Sequence, residues 1–146
     1  MKRIAAVCCL LAVSACGVRP SGVIAGGEAP RGQVVGSVVF YVSGDSLAPA
    51  TGPFGDLDAR LDRLAAGPTE DERRMGLRSE IPPGTALRSE IHPSGLVVVA
   101  TVDPRTLSEL ALEQIVCTAS LADRSQGDAV IIAGHEGSLP PKRCGN

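Results

Sequence analysis

The stretch Leu96-Val97-Val98-Val99-Ala100-Thr101-Val102 constrains this chain more than any other. It is nearly continuous in apolar residues and rich in β-branched side chains. That pattern favours a strand set inside a sheet and covered, at least partly, on both faces. Successive strand side chains point opposite ways, so Leu96, Val98, Ala100 and Val102 form one face. Val97, Val99 and Thr101 form the other. Any fold built around this strand must cover the first set with helices and account for the second.

The rest of the chain supplies those helices. Residues 34–42 (VVGSVVFYV) read as a strand, with Val35, Val39 and Tyr41 alternating against Val34, Val38, Phe40 and Val42. Gly44-Asp45 is a turn signal, and residues 46–51 return as a short strand that Pro49 confines to an edge. Asp56 caps a helix running to Ala66, whose Leu57, Leu61, Leu64 and Ala65 form one apolar stripe. Gly67-Pro68 stops it. Thr69-Glu70-Asp71-Glu72 is a capping box that opens a second, short helix ended by Gly76. Ile81-Pro82-Pro83-Gly84-Thr85 is a stiff corner before a strand over residues 86–91, and Pro93-Ser94-Gly95 turns into the apolar strand. Thr106-Leu107-Ser108-Glu109 reads as another capping box, leading a helix to about Ser120 with Leu107, Leu110, Ala111, Ile115 and Thr118 on one side. Residues 129–133 form a final inner strand, and Glu136-Gly137 turns into a last short one. The order implies an α+β fold: a two-layer sandwich whose mostly antiparallel or mixed sheet carries two main helices on one face. Residues 34–139 make one domain, and residues 140–146 a C-terminal tail.

The N-terminus reads as an address. Lys2 and Arg3 precede a ten-residue apolar run over residues 4–13, and small Ser14 and Ala15 lead to Cys16. The run is too short to span a bilayer, which takes about 20 apolar residues. Val13-Ser14-Ala15-Cys16 resembles the lipobox of bacterial lipoproteins. That resemblance implies a signal peptide over residues 1–15, cleavage before Cys16, and diacylation of Cys16 as the anchor on the extracytoplasmic face of the cell membrane. An ordinary secretory signal with a chance cysteine is the alternative. Residues 16–33, rich in Gly and Pro, follow as a flexible tether.

Removing residues 1–15 takes formal charge from −2 to −4, because Lys2 and Arg3 leave and no acid does. A mildly acidic chain with no Trp, one Tyr and two Phe offers neither the charge nor the stacking platforms that nucleic-acid binding uses. No nucleic-acid partner is expected. Of 5 Cys, Cys8 and Cys9 go with the signal and Cys16 with the lipid, leaving Cys117 and Cys144. In an exported chain these form a disulfide, or Cys117 is buried and Cys144 is a loose thiol on the tail.

Residues 61–69 (LDRLAAGPT), 76–87 (GLRSEIPPGTAL), 98–103 (VVATVD) and 110–118 (LALEQIVCT) resemble, in that order, the GerMN domain family. This is the module of sporulation and spore-germination proteins, found also in actinobacterial envelope lipoproteins. The resemblance spans about residues 34–139 and implies a non-enzymatic interaction domain, with no catalytic residue to carry over. His92-Pro93-Ser94-Gly95 departs from the tighter Asp-Gly turn common there.

Ser43-Gly44-Asp45-Ser46-Leu47 resembles the first block of GDSL esterases, whose serine needs a base and an oxyanion hole. Here neither His92 nor His135 has an Asp three residues before it, and the only Asn is Asn146. A Gly-Asp turn accounts for the same residues. The two histidines lack partners at metal-ligand spacing, and no phosphate loop occurs, so neither cofactor nor metal is expected. Two readings remain: a tethered module docking onto an envelope protein or itself, and a lipoprotein binding a small ligand or cell wall. The first predicts a partly exposed β-branched face marked by Val97, Val99 and Tyr41; the competing expectation is that the tail covers it.

Overall fold

The computed structural model describes residues 37–122 and 129–145. Residues 1–36, which carry the expected signal segment 1–15, Cys16 and the expected tether, lie outside the described residues, as do 123–128 and 146. The described chain is the expected α+β sandwich.

Strands β1 (Val38–Ser43) and β2 (Ser46–Thr51) form an antiparallel hairpin about Gly44-Asp45. Gly44 has φ +60°, a left-handed conformation that hairpin turns of this length reserve for glycine. Among the described residues this hairpin is a sheet of its own. Helix α1 (Leu57–Ala66) begins where Asp56 accepts from the Ala59 N–H at 2.9 Å, and ends at Gly67 with φ +79°. Helix α2 (Glu70–Arg74) has both halves of its capping box: Thr69 Oγ1 accepts from Glu72 N–H, and the Glu72 carboxylate accepts from Thr69 N–H.

The larger sheet has order β3-β4-β5-β6: β3 (Leu87–His92), β4 (Gly95–Ala100), β5 (Ala129–Gly134) and β6 (Gly137–Ser138). A further strand, β7 (Lys142–Arg143), pairs β5 below β6. β3 runs antiparallel to β4, while β4 and β5 are parallel and joined by the kind of helical crossover that parallel neighbours need. That helix is α3 (Glu109–Ser120). Its cap is Ser108, not Thr106. Pro104 starts a 3₁₀ turn that Asp103 caps, and the Thr106 hydroxyl is committed to the Asp103 carbonyl at 2.7 Å. The expected capping box at Thr106 therefore does not form, and Ser108 accepts from the Ala111 N–H instead.

Helices α1 and α3 pack on each other and on the inner face of the larger sheet. Leu61, Leu64, Ile115 and Ala111 meet Leu87, Leu96, Val98, Ala100, Val130 and Ile132 in one core. The hairpin lies against the same two helices and brings Val39, Tyr41 and Ala50 into that core. α3 is consequently buried almost all round, from Gln114 to Ser120 without a break. Residues 142–143 are strand rather than free tail, because they complete the ladder of β5. Tyr41 belongs to a separate hairpin folded on the helices, so it does not share the face of Val97 and Val99.

Candidate interaction surface

Register fixes which residues share the outer face of the larger sheet. Val97 stands between Glu90 and Ile131, and Val99 between Arg88 and Ala133. Ala129 continues this row two residues before Ile131, and its cross-strand partner is Arg143. The result is a central apolar stripe, Val97, Val99, Ile131 and Ala133, with Arg88 and Glu90 along one margin and Arg143 at the other. Val99, Ile131 and Ala133 are half-buried, whereas Val97 retains only 9% of its surface. Val97 is thus not the exposed contact expected of it. Its central position between two longer neighbours on the same face leaves it little outward room. Ile131, Ala133 and Arg143 were not singled out from the sequence, although the alternation of Ala129, Ile131 and Ala133 carried the signal.

Tyr41 is fully buried. Its hydroxyl donates to the Arg63 carbonyl at 2.9 Å and accepts from the Arg63 guanidinium. That guanidinium also reaches the Gly67 carbonyl and the Glu72 carboxylate, and lies 5.3 Å from the Tyr41 ring centroid and 5.7 Å from that of Phe54. Burial pushes the Tyr41 hydroxyl up to about 12, outweighing the nearby Arg63 cation. For Glu72, burial acts upward, but the Thr69 amide, Arg63 and the Thr69 hydroxyl together hold its carboxyl below the usual range. The cluster fastens α1, α2 and β1 to one another. It is a structural knot with its hydrogen-bonding capacity turned inward.

Strand edges are closed in the same manner. Phe40 on β1 donates its N–H to Thr118 Oγ1 at 3.1 Å, and its carbonyl accepts from Gln114 Nε2 at 3.0 Å. Gln114 Oε1 accepts from the Glu80 N–H at 2.8 Å. Val42 exchanges two backbone bonds with Arg78, at 2.8 and 2.9 Å. Along β3, the Ser89 N–H and hydroxyl both donate to Asp58 on α1 at 2.8 Å, and this pair of bonds holds the Asp58 carboxyl below its ordinary value. β5 is covered by β6 and β7. Among the described residues β2 pairs β1 alone, and it carries Pro49, which removes a donor from that edge.

The remaining candidates fall apart spatially or chemically. Ser46 hydrogen-bonds the Ser43 carbonyl at 3.4 Å, as a turn residue does. His92 pairs with Glu90 at 3.1 Å on the exposed end of β3, and His135 is exposed in the β5–β6 turn. Among the described residues no group of three His, Cys, Asp or Glu is placed to hold a metal ion. No described helix is long and apolar enough to cross a membrane. Arg60 is buried, donates Nε–H to the Gly55 carbonyl at 3.2 Å and leaves Nη1 without a partner. Cys117 and Cys144 are joined as a disulfide, with their Cα atoms 4.6 Å apart.

No family model, curated protein or solved structure matches this chain. The reading of its function therefore rests on the outer sheet face and on the sequence motifs.

Proposed function

We propose that this chain is a lipid-anchored lipoprotein of the extracytoplasmic cell envelope, and that its domain is a non-enzymatic interaction module. The address comes from Lys2 and Arg3, the apolar run and Val13-Ser14-Ala15-Cys16. Two acyl chains hold stably where one is marginal. The resemblance to the GerMN domain family supports the role.

One observation carries the docking role: the half-buried row Val99, Ile131 and Ala133 on the outer face of the larger sheet. The knot residues Tyr41, Arg63 and Glu72 bond one another, and Gln114 and Thr118 bond backbone groups within the fold. The outer row, bordered by Arg88, Glu90 and Arg143, has instead the apolar centre and charged rim of a small protein contact. The partner is another envelope protein or a second copy of this chain. In-cell crosslinking of the full chain tests this with Val99→Glu and Ile131→Glu. Loss of the crosslinked partner, with thermal stability within about 1 kcal/mol of the parent as surface changes allow, is the expected result. If both variants keep every crosslink, the face is not the docking surface.

A further inference from the structure

The C-terminal strand covers the β5 edge with few attachments of its own. β7 has two residues, pairing Arg143 with Ala129 and Lys142 with Val130. Its side-chain tie is Lys142 Nζ to Glu109 at 2.6 Å, where the Glu109 side chain is 78% exposed and the pair is open to solvent screening. None of residues 140–145 enters the core cluster, and Leu139 only packs against it. What fastens the strand is the next residue: Cys144 is exposed and bridged to Cys117, which is buried within α3. Beneath β7 lies β5, whose Val130 and Ile132 are central to the core. The β6 hairpin pairs β5 further along, at Ala133 and Gly134, and does not depend on the bridge.

We infer that the Cys117–Cys144 disulfide is a redox latch, holding a short C-terminal strand against the β5 edge. Opening requires a dithiol. One of its thiolates attacks the Sγ of Cys144, the exposed residue of the pair, forming a mixed disulfide and releasing Cys117 as a thiolate that takes up a proton. The second thiol of the reductant then displaces Cys144, leaving the reductant as a disulfide and the chain with two thiols. With the bridge gone, two ladder pairs, one screened ion pair and packing on α3 are what hold β7 among the described residues. The strand opens locally while the core, to which it contributes nothing, stays folded. The freed edge presents the N–H and C=O of Val130, which lies on the same side of β5 as the Ile132 carbonyl that accepts from Leu139, whereas the backbone groups of Ala129 face β4.

Amide hydrogen exchange of the full chain, with and without dithiothreitol, tests the latch. Reduction is expected to lower protection at the Val130 amide by about tenfold or more, as local opening does, while β3, β4 and α3 exchange as before. Cys144→Ser, without reductant, should reproduce that pattern. Lys142→Ala with the bridge intact should leave the Val130 amide protected. Unchanged exchange in the reduced chain and in Cys144→Ser overturns the proposal, since β7 then holds itself. Loss of protection across β3 and β4 as well also overturns it, because the bridge is then a staple of the whole fold.

Discussion

Gln114→Leu removes a side chain whose amide serves two strands while changing volume little. In the parent, Gln114 is fully buried, with Oε1 on the Glu80 N–H at 2.8 Å and Nε2 on the Phe40 carbonyl at 3.0 Å. Leucine fills the space but leaves both partly buried backbone groups unpaired. Each such group costs about 1–2 kcal/mol, so the variant should lose about 2–4 kcal/mol. That is a large share of the ~5–15 kcal/mol that holds a typical domain. Urea unfolding followed by circular dichroism is the assay, and the midpoint should fall with an unchanged m-value. Thr118→Val orphans the N–H of the same Phe40 and should cost about 1 kcal/mol. Because both variants release one strand from α3, the double variant should lose less than their sum. Gln114→Glu adds a pH signature. Only a protonated carboxyl can donate to the Phe40 carbonyl, so folding raises its pKa. Stability is then retained below the unfolded value, ~4.3, and declines as pH rises above it. If Gln114→Leu costs under about 1 kcal/mol, the two backbone groups have found other partners. The account of how α3 holds β1 is then wrong.

Gly134→Ala places a Cβ 2.5 Å from the Val102 carbonyl oxygen and 2.8 Å from Pro104 Cδ. Backbone cannot yield as a flexible side chain does, so thermal unfolding should report a loss of about 1–3 kcal/mol. For Glu72, the folded state holds its carboxyl below the unfolded value. Its contribution is therefore present above that value and lost as pH falls through the folded pKa, so the stability gap between parent and Glu72→Gln should narrow on acidification below about pH 4. A gap constant from pH 3 to pH 7 would contradict this. Cys16→Ser should move the protein from detergent-extracted membranes to the soluble or secreted fraction. Retention with normal processing would refute the anchor assignment.

Much of the local structure was legible because its causes are local. Gly44-Asp45, Asp56, Gly67 and the Thr69–Glu72 box act within a few residues of themselves, and each occupies its expected place. The failure at Thr106 was local too. Pro104 and Asp103 competed for the same turn and claimed its hydroxyl. The two faces of residues 96–102 also followed from strand geometry, and Leu96, Val98 and Ala100 do face the core.

Sequence could not decide which strands share a sheet. The alternation of β1 looks like that of β4, yet β1 belongs to a separate hairpin, and so Tyr41 is buried beside Arg63 instead of standing with Val99. Strand pairing is set by contacts between residues distant along the chain, and composition within either strand does not record its neighbour. The same holds for Gln114 and Thr118: their spacing placed them on one helix face, but only the packed hairpin supplied the Phe40 N–H and carbonyl that they satisfy. β7 is the sharpest case. Lys142 and Arg143 have no strand signal of their own, and they become a strand because β5 offers an edge there and Cys144 is bridged to Cys117 beside it.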